Sequence, residues 1–317
     1  MMLLVLTNAS DATADYMCRR LAEADVPFVR LDTDAAVGAM SIAYRGHGPV
    51  LGLAGRELTP ESTQVWYRRP TALKPPVAGD EGEQRHAAEE WTAALEGFLA
   101  HVPRGRWVNH PAANTLASHK MEQLTRARDQ GLAVPRTLVT QDPAEFRAFW
   151  DACGGHVIVK PISHGYLSRP DPEGDSLIYT NVVGPEHAAR GESVRACPTL
   201  FQELVPRRTD VRITVVDSDI HAVGLRAKDG GEPRVDIRRR NMAGVEYKDI
   251  ELPPPLATRL LRLVRSYDLR FAAIDMILRP DGEWVFLEVN PNGQWAWLDL
   301  VAGADIGASL LRAARHG

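Results

Sequence analysis

The 317-residue sequence lacks several features that mark secreted, membrane or nucleic-acid-binding proteins. Its three cysteines, Cys18, Cys153 and Cys197, are widely spaced and form no Cys-x-x-Cys pair, which predicts reduced thiols and argues against a zinc site. The first apolar run is too short for a signal-peptide core or a membrane span. Lys and Arg number 37 against 41 Asp and Glu, a net charge of -4, so the overall field would not attract nucleic-acid phosphates. We therefore expect a cytoplasmic enzyme or binding protein with neither nucleic-acid nor membrane partners.

Hydrophobic residues, 44% of the chain, suffice for the cores of two or three domains. The first 110 residues read as a small α/β domain whose elements follow from apolar periodicity and turn signals. A loop without apolar periodicity is predicted at residues 71–84. The predicted elements are strands at 3–6, 26–31 and 64–68, a hairpin at 40–44 and 50–53, and helices at 14–24 and 87–100.

The rest of the chain predicts a second α+β unit followed by a mostly antiparallel sheet with helices on one side. One helix, residues 116–131, is expected to end at Gly131 because glycine favours the position just past a helix. The other predicted elements are helices at 143–153 and after residue 255, and strands at 134–140, 156–160, 199–202, 211–216, 220–226 and 235–238.

The most informative pattern is a predicted hairpin of two apolar strands, residues 271–278 and 284–290, joined by a Pro-Asp-Gly turn. Asp275, Glu288 and Asn290 lie within these apolar runs, where an uncompensated charge is costly. Glu288 and Asn290 are two residues apart and share one face of their strand. Hard oxygen ligands without His or Cys indicate Mg²⁺ on a nucleotide. In the alternative interpretation, Asp275 caps a turn and Glu288 is a solvent-facing strand residue.

Cationic side chains elsewhere are suited to phosphate and carboxylate groups. Lys120 lies at the start of a predicted helix, and Lys160 ends a predicted strand. Taken singly, each is more typical of a solvated surface lysine. Only their combination with the acidic hairpin indicates a polyphosphate site. Glu203 could accept a bond from a sugar hydroxyl or be an ordinary edge acid. Asp210 and Arg212 share a strand face, and residues 207–240 hold nine basic against six acidic residues. This excess of basic residues indicates either a binding surface for an acidic substrate or a solvated sheet edge whose arginines discourage aggregation.

Taken in order, these motifs resemble those of the ATP-grasp ligases over about residues 109–300. The segments that carry the resemblance are Lys120 with 131–137, 157–161, 201–203, 210–212, Asp275 and 288–293. Residues 65–70, 178–181 and 294–295 further resemble the graspetide synthetases, the microviridin-type enzymes that close macrocycles in ribosomal peptides. One departure is the segment 162–176, which has Gly165 and Gly174 in place of a dense glycine-rich flap.

The resemblance implies a role for each matching position. Lys120 and Lys160 would contact the ATP phosphates, while Asp275, Glu288 and Asn290 would hold Mg²⁺. The adenine and ribose site would comprise Gln202, Glu203, Leu204 and Asp210. Catalytic contacts to the transferred phosphate and acyl phosphate would come from Arg212 and Arg226, and Asp236 and Arg238 would face the peptide.

The implied fold is α/β and α+β, an ATP-grasp fold with an N-terminal α/β domain (1–110), a central lid domain (111–200) and a C-terminal α+β domain (201–317). The implied function is ATP-dependent macrocyclisation of a precursor peptide with a leader and an acidic core. An intermolecular carboxylate–amine ligase and a non-catalytic ATP- and peptide-binding protein are the alternatives. Strand edges and the apolar residues Leu298, Leu300 and Val301 allow a homodimer.

Overall fold

The computed structural model describes residues 1–35, 40–74, 79–163, 165–169, 174, 176–228 and 244–315. The predicted strand at 235–238, with the candidate peptide-facing residues Asp236 and Arg238, lies outside these ranges. Within them, no helix is both long and apolar enough to cross a bilayer.

The N-terminal part is built on a parallel sheet with the order β2-β1-β6-β7. Its strands are β1 (Met2–Thr7), β2 (Phe28–Asp32), β6 (Thr63–Tyr67) and β7 (Trp107–Val108), and a separate antiparallel sheet contains β3 (Met40–Tyr44), β4 (Pro49–Leu53) and β5 (Arg56–Leu58). Helix α1 (Ala12–Glu23) begins where the Asp11 carboxylate accepts hydrogen bonds from the Thr13 and Ala14 amides. Such a cap satisfies amides that have no partner within the helix. The predicted β-α opening and the β3–β4 hairpin are both confirmed.

Helix α2 (Glu81–Leu99) begins six residues before the predicted start at residue 87, so the predicted loop is wrong over its last residues. The reason is a capping box: the Asp80 side chain accepts from the Glu83 amide, and the Glu83 side chain accepts from the Asp80 amide. These reciprocal bonds stabilise a first turn that has few buried side chains.

The central sheet is antiparallel, with the order β12-β9-β13-β8. Its strands are β8 (Thr137–Thr140), β9 (Val157–Lys160), β12 (Asn181–Val183) and β13 (Thr199–Glu203), and a short hairpin of β10 (Tyr166–Leu167) and β11 (Ser176–Leu177) follows β9. Helix α5 (Pro143–Ala152) covers the sheet through Phe146, which stacks on Phe201 at a centroid distance of 4.5 Å. Helix α6 (Pro185–Ala188) and the 3₁₀ helix Gly191–Ala196 complete this unit; two further 3₁₀ helices are Pro60–Ser62 and Arg104–Arg106.

The C-terminal sheet is antiparallel, as the sequence predicts, with the order β16-β15-β14-β17-β18. The strand predicted at 199–202 does not join it, because β13 pairs with β8 and β9 in the central sheet. Its strands are β14 (Thr209–Val216), β15 (Asp219–Ala227), β16 (Val245–Asp249), β17 (Phe271–Leu278) and β18 (Trp284–Asn290). Side chains alternate along β14, so Val211, Ile213 and Val215 join the core beneath helix α7 (Pro254–Ser266) while Asp210 and Arg212 face the opposite way. Burying each such apolar side chain contributes about 1.5–3 kcal/mol.

The helix predicted at residues 116–131 is two helices, α3 (Pro111–Ala117) and α4 (Lys120–Asp129), and both pack on the C-terminal sheet. The break occurs because His119 has extended backbone angles, while the Ser118 hydroxyl donates to the Thr115 carbonyl and ends α3. Gly131 follows α4 with a φ of +76°, which confirms the predicted stop. The division places Lys120 at the first residue of a helix.

The last two helices, α8 (Ala296–Ala302) and α9 (Ile306–Arg315), pack with α1 against the N-terminal sheet. Leu298 is 1% exposed within this core, so its predicted role in a contact with a second copy is wrong. Its neighbours Leu300 and Val301 are 69% and 55% exposed. The helical period explains the exposure of Leu300, because a residue two positions further on points away from the face that Leu298 buries.

Candidate active site

A cleft of about 1270 Å³ separates the central sheet from the C-terminal sheet. The start of α4 and the segment that follows β9 close one side, and the polar face of β14, β17 and β18 forms the other. Seven of the residues selected from the sequence line this cleft together, namely Lys120, Lys160, Asp210, Arg212, Asp275, Glu288 and Asn290. The fold therefore collects groups that span 171 positions of the sequence, from 120 to 290.

The acidic part of the site is set by strand register. Asp275 of β17 pairs with Glu288 of β18 on one side and with Arg212 of β14 on the other. Residues directly opposite each other in a sheet share a face, so the three side chains lie in a row. Arg212 Nε lies 3.0 Å from Asp275 Oδ1, and this carboxyl side chain is 32% exposed. The register shifts between Asp275 and Met276, where β18 carries one extra residue, Leu287, and this bulge brings Glu288 rather than Leu287 opposite Asp275.

The donor set fits a magnesium ion. Asp275 and Glu288 supply carboxylate oxygens, and Asn290, opposite Ala273 at the next position of the same face, supplies an amide oxygen. Among the described residues, no group of three or more His, Cys, Asp or Glu could enclose a metal by itself. Mg²⁺ needs no such cage, because it is typically held by one or two carboxylates together with phosphate oxygens and water.

Two lysines face this acidic row. Lys120 Nζ donates to the Pro161 carbonyl at 2.7 Å and to the Ser163 carbonyl at 3.1 Å, so α4 is tied to the segment after β9. Burial lowers the pKa of the Lys160 ammonium, the Glu288 carboxylate opposes that shift, and the charge of Lys120 adds to it. Both lysines line the same cleft as Asp275 and Glu288.

Other predicted positions lie elsewhere. Within the part of the chain that the structure describes, the residues that line the cleft do not include Gln202, Glu203, Leu204 or Arg226. Gln202 is buried and donates to the Thr137 hydroxyl, while Glu203 forms an ion pair with Arg136 at 2.8 Å. The Leu204 amide donates to the His156 carbonyl. Arg226 is exposed on β15, and its Nε donates to the Thr209 hydroxyl at 2.7 Å.

The sequence did not identify Gln123 or Arg207 as residues of the site. Gln123 is 3% exposed, and its side chain accepts from the Val289 amide at 3.0 Å and donates to the Val289 carbonyl at 2.8 Å. It therefore fixes β18 between Glu288 and Asn290. Arg207, whose side chain is 7% exposed, lies in the cleft wall 3.2 Å from Asp210. Only the basic pair Arg207 and Arg208 offered a sequence signal for it; Gln123 offered none.

No protein-family model and no curated relative matches this sequence. Solved structures do match over the full length. Macrocyclase MdnB from Microcystis aeruginosa shares 28% identity at a TM-score of 0.76, with 100% of this chain and 99% of that chain covered. Macrocyclase MdnC from the same organism, bound with its precursor peptide MdnA, shares 24% identity at a TM-score of 0.84, with both chains covered completely.

A RiPP-associated ATP-grasp ligase from Chryseobacterium gregarium, solved with ADP and with a leader and core peptide, is 24% identical at a TM-score of 0.84. The alignment covers 99% of this chain and 96% of that one. The chain thus has the ATP-grasp fold over its whole length, and the resemblance to the graspetide synthetases that the motif series predicts is confirmed.

Proposed function

We propose that this protein is an ATP-dependent macrocyclase of a ribosomally made precursor peptide. It would activate an Asp or Glu side chain of the peptide as an acyl phosphate and join it to a Thr or Ser hydroxyl or a Lys amine of the same peptide. The observation that carries the proposal is the row of Arg212, Asp275 and Glu288 facing two lysines across one cleft, in a chain similar throughout to macrocyclases.

Different residues of the cleft are proposed to bind the phosphates and the metal ion of the nucleotide. Lys120 and Lys160 are proposed to bind the phosphates of ATP, as point charges able to follow a flexible polyphosphate. Asp275, Glu288 and Asn290 would hold Mg²⁺, which when bound neutralises charge on the β- and γ-phosphates.

The adenine and ribose are assigned to the end of β13, at Gln202, Glu203 and Leu204, with Asp210 beside the ribose. Each oxygen of the Glu203 carboxylate accepts one bond from Arg136 and has a further lone pair that can accept from a sugar hydroxyl. Residues 202–204 do not line the cleft, so this assignment requires a shift of the central sheet toward it.

The chemistry consists of two displacements. A carboxylate oxygen of the peptide attacks the γ-phosphorus, the bond from that phosphorus to the β-γ bridging oxygen breaks, and ADP leaves. The hydroxyl or amine then attacks the acyl carbon, the carbon–oxygen bond to phosphate breaks, and phosphate departs with the nucleophile's proton. Arg212, already held by Asp275, would stabilise the negative charge on the transferred phosphate and the carbonyl oxygen. Arg226 is proposed as its partner, a role that requires it to leave Thr209 and the opposite face of the sheet. No covalent bond to the enzyme is needed.

Intact-mass spectrometry of candidate precursors, chosen as short acidic peptides encoded beside the gene, tests this function. After incubation with enzyme, ATP and Mg²⁺, we expect a loss of one water, roughly 18 Da, for each ring formed through an acyl phosphate. Tandem spectra would then locate each ester or amide. An unchanged mass with ADP accumulating, or the gain of an amino-acid residue, would favour an intermolecular ligase; nucleotide binding without turnover would favour a non-catalytic binding protein.

The precursor is proposed to be microviridin-like, with a leader and an acidic core, and to meet the enzyme in the cytoplasm, where ATP is supplied. Asp236 and Arg238 are assigned to the peptide contact, since bidentate arginines recognise carboxylates.

A homodimer is proposed through the exposed Leu300 and Val301 of α8. Light scattering should give twice the chain mass for the wild-type protein and the single-chain mass for Leu300→Glu/Val301→Glu protein. The single-chain mass in the wild-type protein would contradict the homodimer.

A further inference from the structure

The turn that follows β18, residues 290–294, carries the proposed metal ligand Asn290 at its first position. Its backbone carbonyls are bonded by side chains from the first 109 residues of the chain. Asn109 Nδ2 donates to the Pro291 carbonyl at 3.0 Å, and Arg69 donates to the Asn292 carbonyl at 3.2 Å. Arg68 Nη1 donates to the same Asn292 carbonyl, and Arg68 Nη2 donates to Gln294 Oε1 at 3.0 Å.

Arg68 is buried to an extent that is rare for a charged residue, with 1% of its surface exposed. It directly follows the strand β6, and its own amide donates to the Leu6 carbonyl. Its Nε lies 3.3 Å from Asp11 Oδ2, and the Asp11 side chain is fully buried. Burial lowers the pKa of Arg68 to about 10 and the neighbouring Asp11 opposes the shift, so the guanidinium stays charged at neutral pH.

A short chain of bonds links Arg68 to the metal ligand. Arg68 fixes the Asn292 carbonyl, and the Asn292 amide donates to Asn290 Oδ1 at 3.1 Å. The orientation of the Asn290 amide, and therefore of the oxygen it offers to a metal, depends on where the backbone of Asn292 lies. The turn has little room to adjust, because a Cβ added to Gly293 would collide with the Ala273 side chain.

We propose that Arg68 is a positioning residue for Mg²⁺: through Asn292 it holds the Asn290 side chain in the orientation that ligates the ion. The inference rests on the proposed function insofar as that function places Mg²⁺ at Asn290. The N-terminal sheet would thereby contribute to metal affinity although none of its residues touches the ion. Side chains that orient metal ligands typically change metal affinity about 10- to 100-fold when they are replaced.

Calorimetric titration with ADP, in the presence of either Mg²⁺ or EDTA, tests the inference without using turnover. In wild-type protein, Mg²⁺ should tighten ADP binding. In Arg68→Met protein, we expect this gain to fall about 10-fold or more while ADP affinity in EDTA stays unchanged. Arg68→Lys should recover part of the gain. Arg30→Met is the matched control, since Arg30 pairs with Asp15 and Asp32 in the same N-terminal region and does not contact the turn.

A second variant, Gln294→Ala, addresses the case in which Arg68→Met protein does not fold. Gln294 is half-buried, and its removal leaves the Asp11–Arg68 pair intact while releasing one end of the guanidinium. We expect a smaller loss of the magnesium effect, about 3-fold and below the usual 10- to 100-fold range, because Arg68 keeps its bond to the Asn292 carbonyl.

The possible outcomes separate the two proposals. A full magnesium effect in folded Arg68→Met and Gln294→Ala proteins would overturn the positioning role and leave the proposed function standing. A wild-type protein whose ADP affinity does not respond to Mg²⁺ would overturn the metal site, and the positioning role with it. Equal losses in Arg68→Met and Arg30→Met proteins would also overturn the role, because they would trace the effect to general disturbance of the N-terminal sheet.

Discussion

Glu288→Gln protein is expected to macrocyclise its precursor about a thousandfold more slowly than wild-type protein, because several kcal/mol of charge stabilisation by the metal are lost. The substitution preserves shape, so the amide should occupy the place of the carboxylate opposite Asp275. It removes a formal charge from the donor set, and it also removes the carboxylate that favours the charged form of Lys160. Both effects weaken the binding of a metal-bound triphosphate.

The rate of ring formation is followed by the loss of water from the peptide mass, at saturating ATP and over a range of Mg²⁺ concentrations. Glu283→Gln is the matched control: Glu283 lies in the same β17–β18 hairpin, exposed and paired with Arg279 at 2.9 Å, outside the cleft. A surface ion pair contributes about 0–1 kcal/mol, so this variant should keep the wild-type rate. Wild-type-like ring formation in folded Glu288→Gln protein would contradict the metal site.

The acidic half of the site could be predicted because its information is local. Asp275, Glu288 and Asn290 lie on two strands joined by a tight turn, so the hairpin and the shared face of Glu288 and Asn290 follow from the sequence pattern. The position of Asp275 opposite Glu288 depends in addition on the bulge at Leu287, which the pattern does not predict. The placement of Arg212 opposite Asp275 is different. It depends on pairing between β14 and β17, which are separated by 54 residues, and no turn specifies that register. The sequence placed Arg212 on a strand face, and only the fold places it beside a carboxylate.

Errors in the predicted fold have equally specific causes. The early start of α2 depends on the reciprocal bonds of Asp80 and Glu83, which outweigh the absence of apolar periodicity at the first turn. The break between α3 and α4 depends on the backbone of His119, a residue with no strong preference to end a helix. The burial of Leu298 does not follow from its local sequence, because it requires α1 and α8, nearly 300 positions apart, to pack together.

Gln123, Arg68 and Asn109 were not identified as residues of the site for one common reason. Each is a polar side chain that donates to a backbone carbonyl at least 160 positions away. Neither residue type nor spacing predicts such bonds, because a sequence does not distinguish a buried amide or guanidinium from an exposed one. Buried polar groups of this kind specify a structure when every bond is made and destabilise it when one is not.

Asn109→Leu protein is expected to be less stable than wild-type protein by about 3–5 kcal/mol, since the loss of one buried partner leaves several backbone groups unsatisfied. Asn109 is 2% exposed and its side chain makes four hydrogen bonds. Its oxygen accepts from the Arg270 and Phe271 amides at 2.8 and 2.9 Å. Its nitrogen donates to the Phe271 and Pro291 carbonyls at 2.8 and 3.0 Å. Leucine fills the same space and satisfies none of them.

Urea unfolding followed by circular dichroism measures the free energy, with an unchanged m-value confirming that the same surface is exposed. Asn114→Leu is the control, because Asn114 is 7% exposed in α3 and neither polar atom of its side chain has a hydrogen-bond partner within the described residues. Replacing a buried polar group that lacks partners should change the stability by less than about 1 kcal/mol, or raise it. Equal losses in the two variants would mean that Asn109 acts through packing. A loss confined to Asn109 would show that its four hydrogen bonds fasten the start of β17 and the turn after Asn290 to the end of the N-terminal sheet.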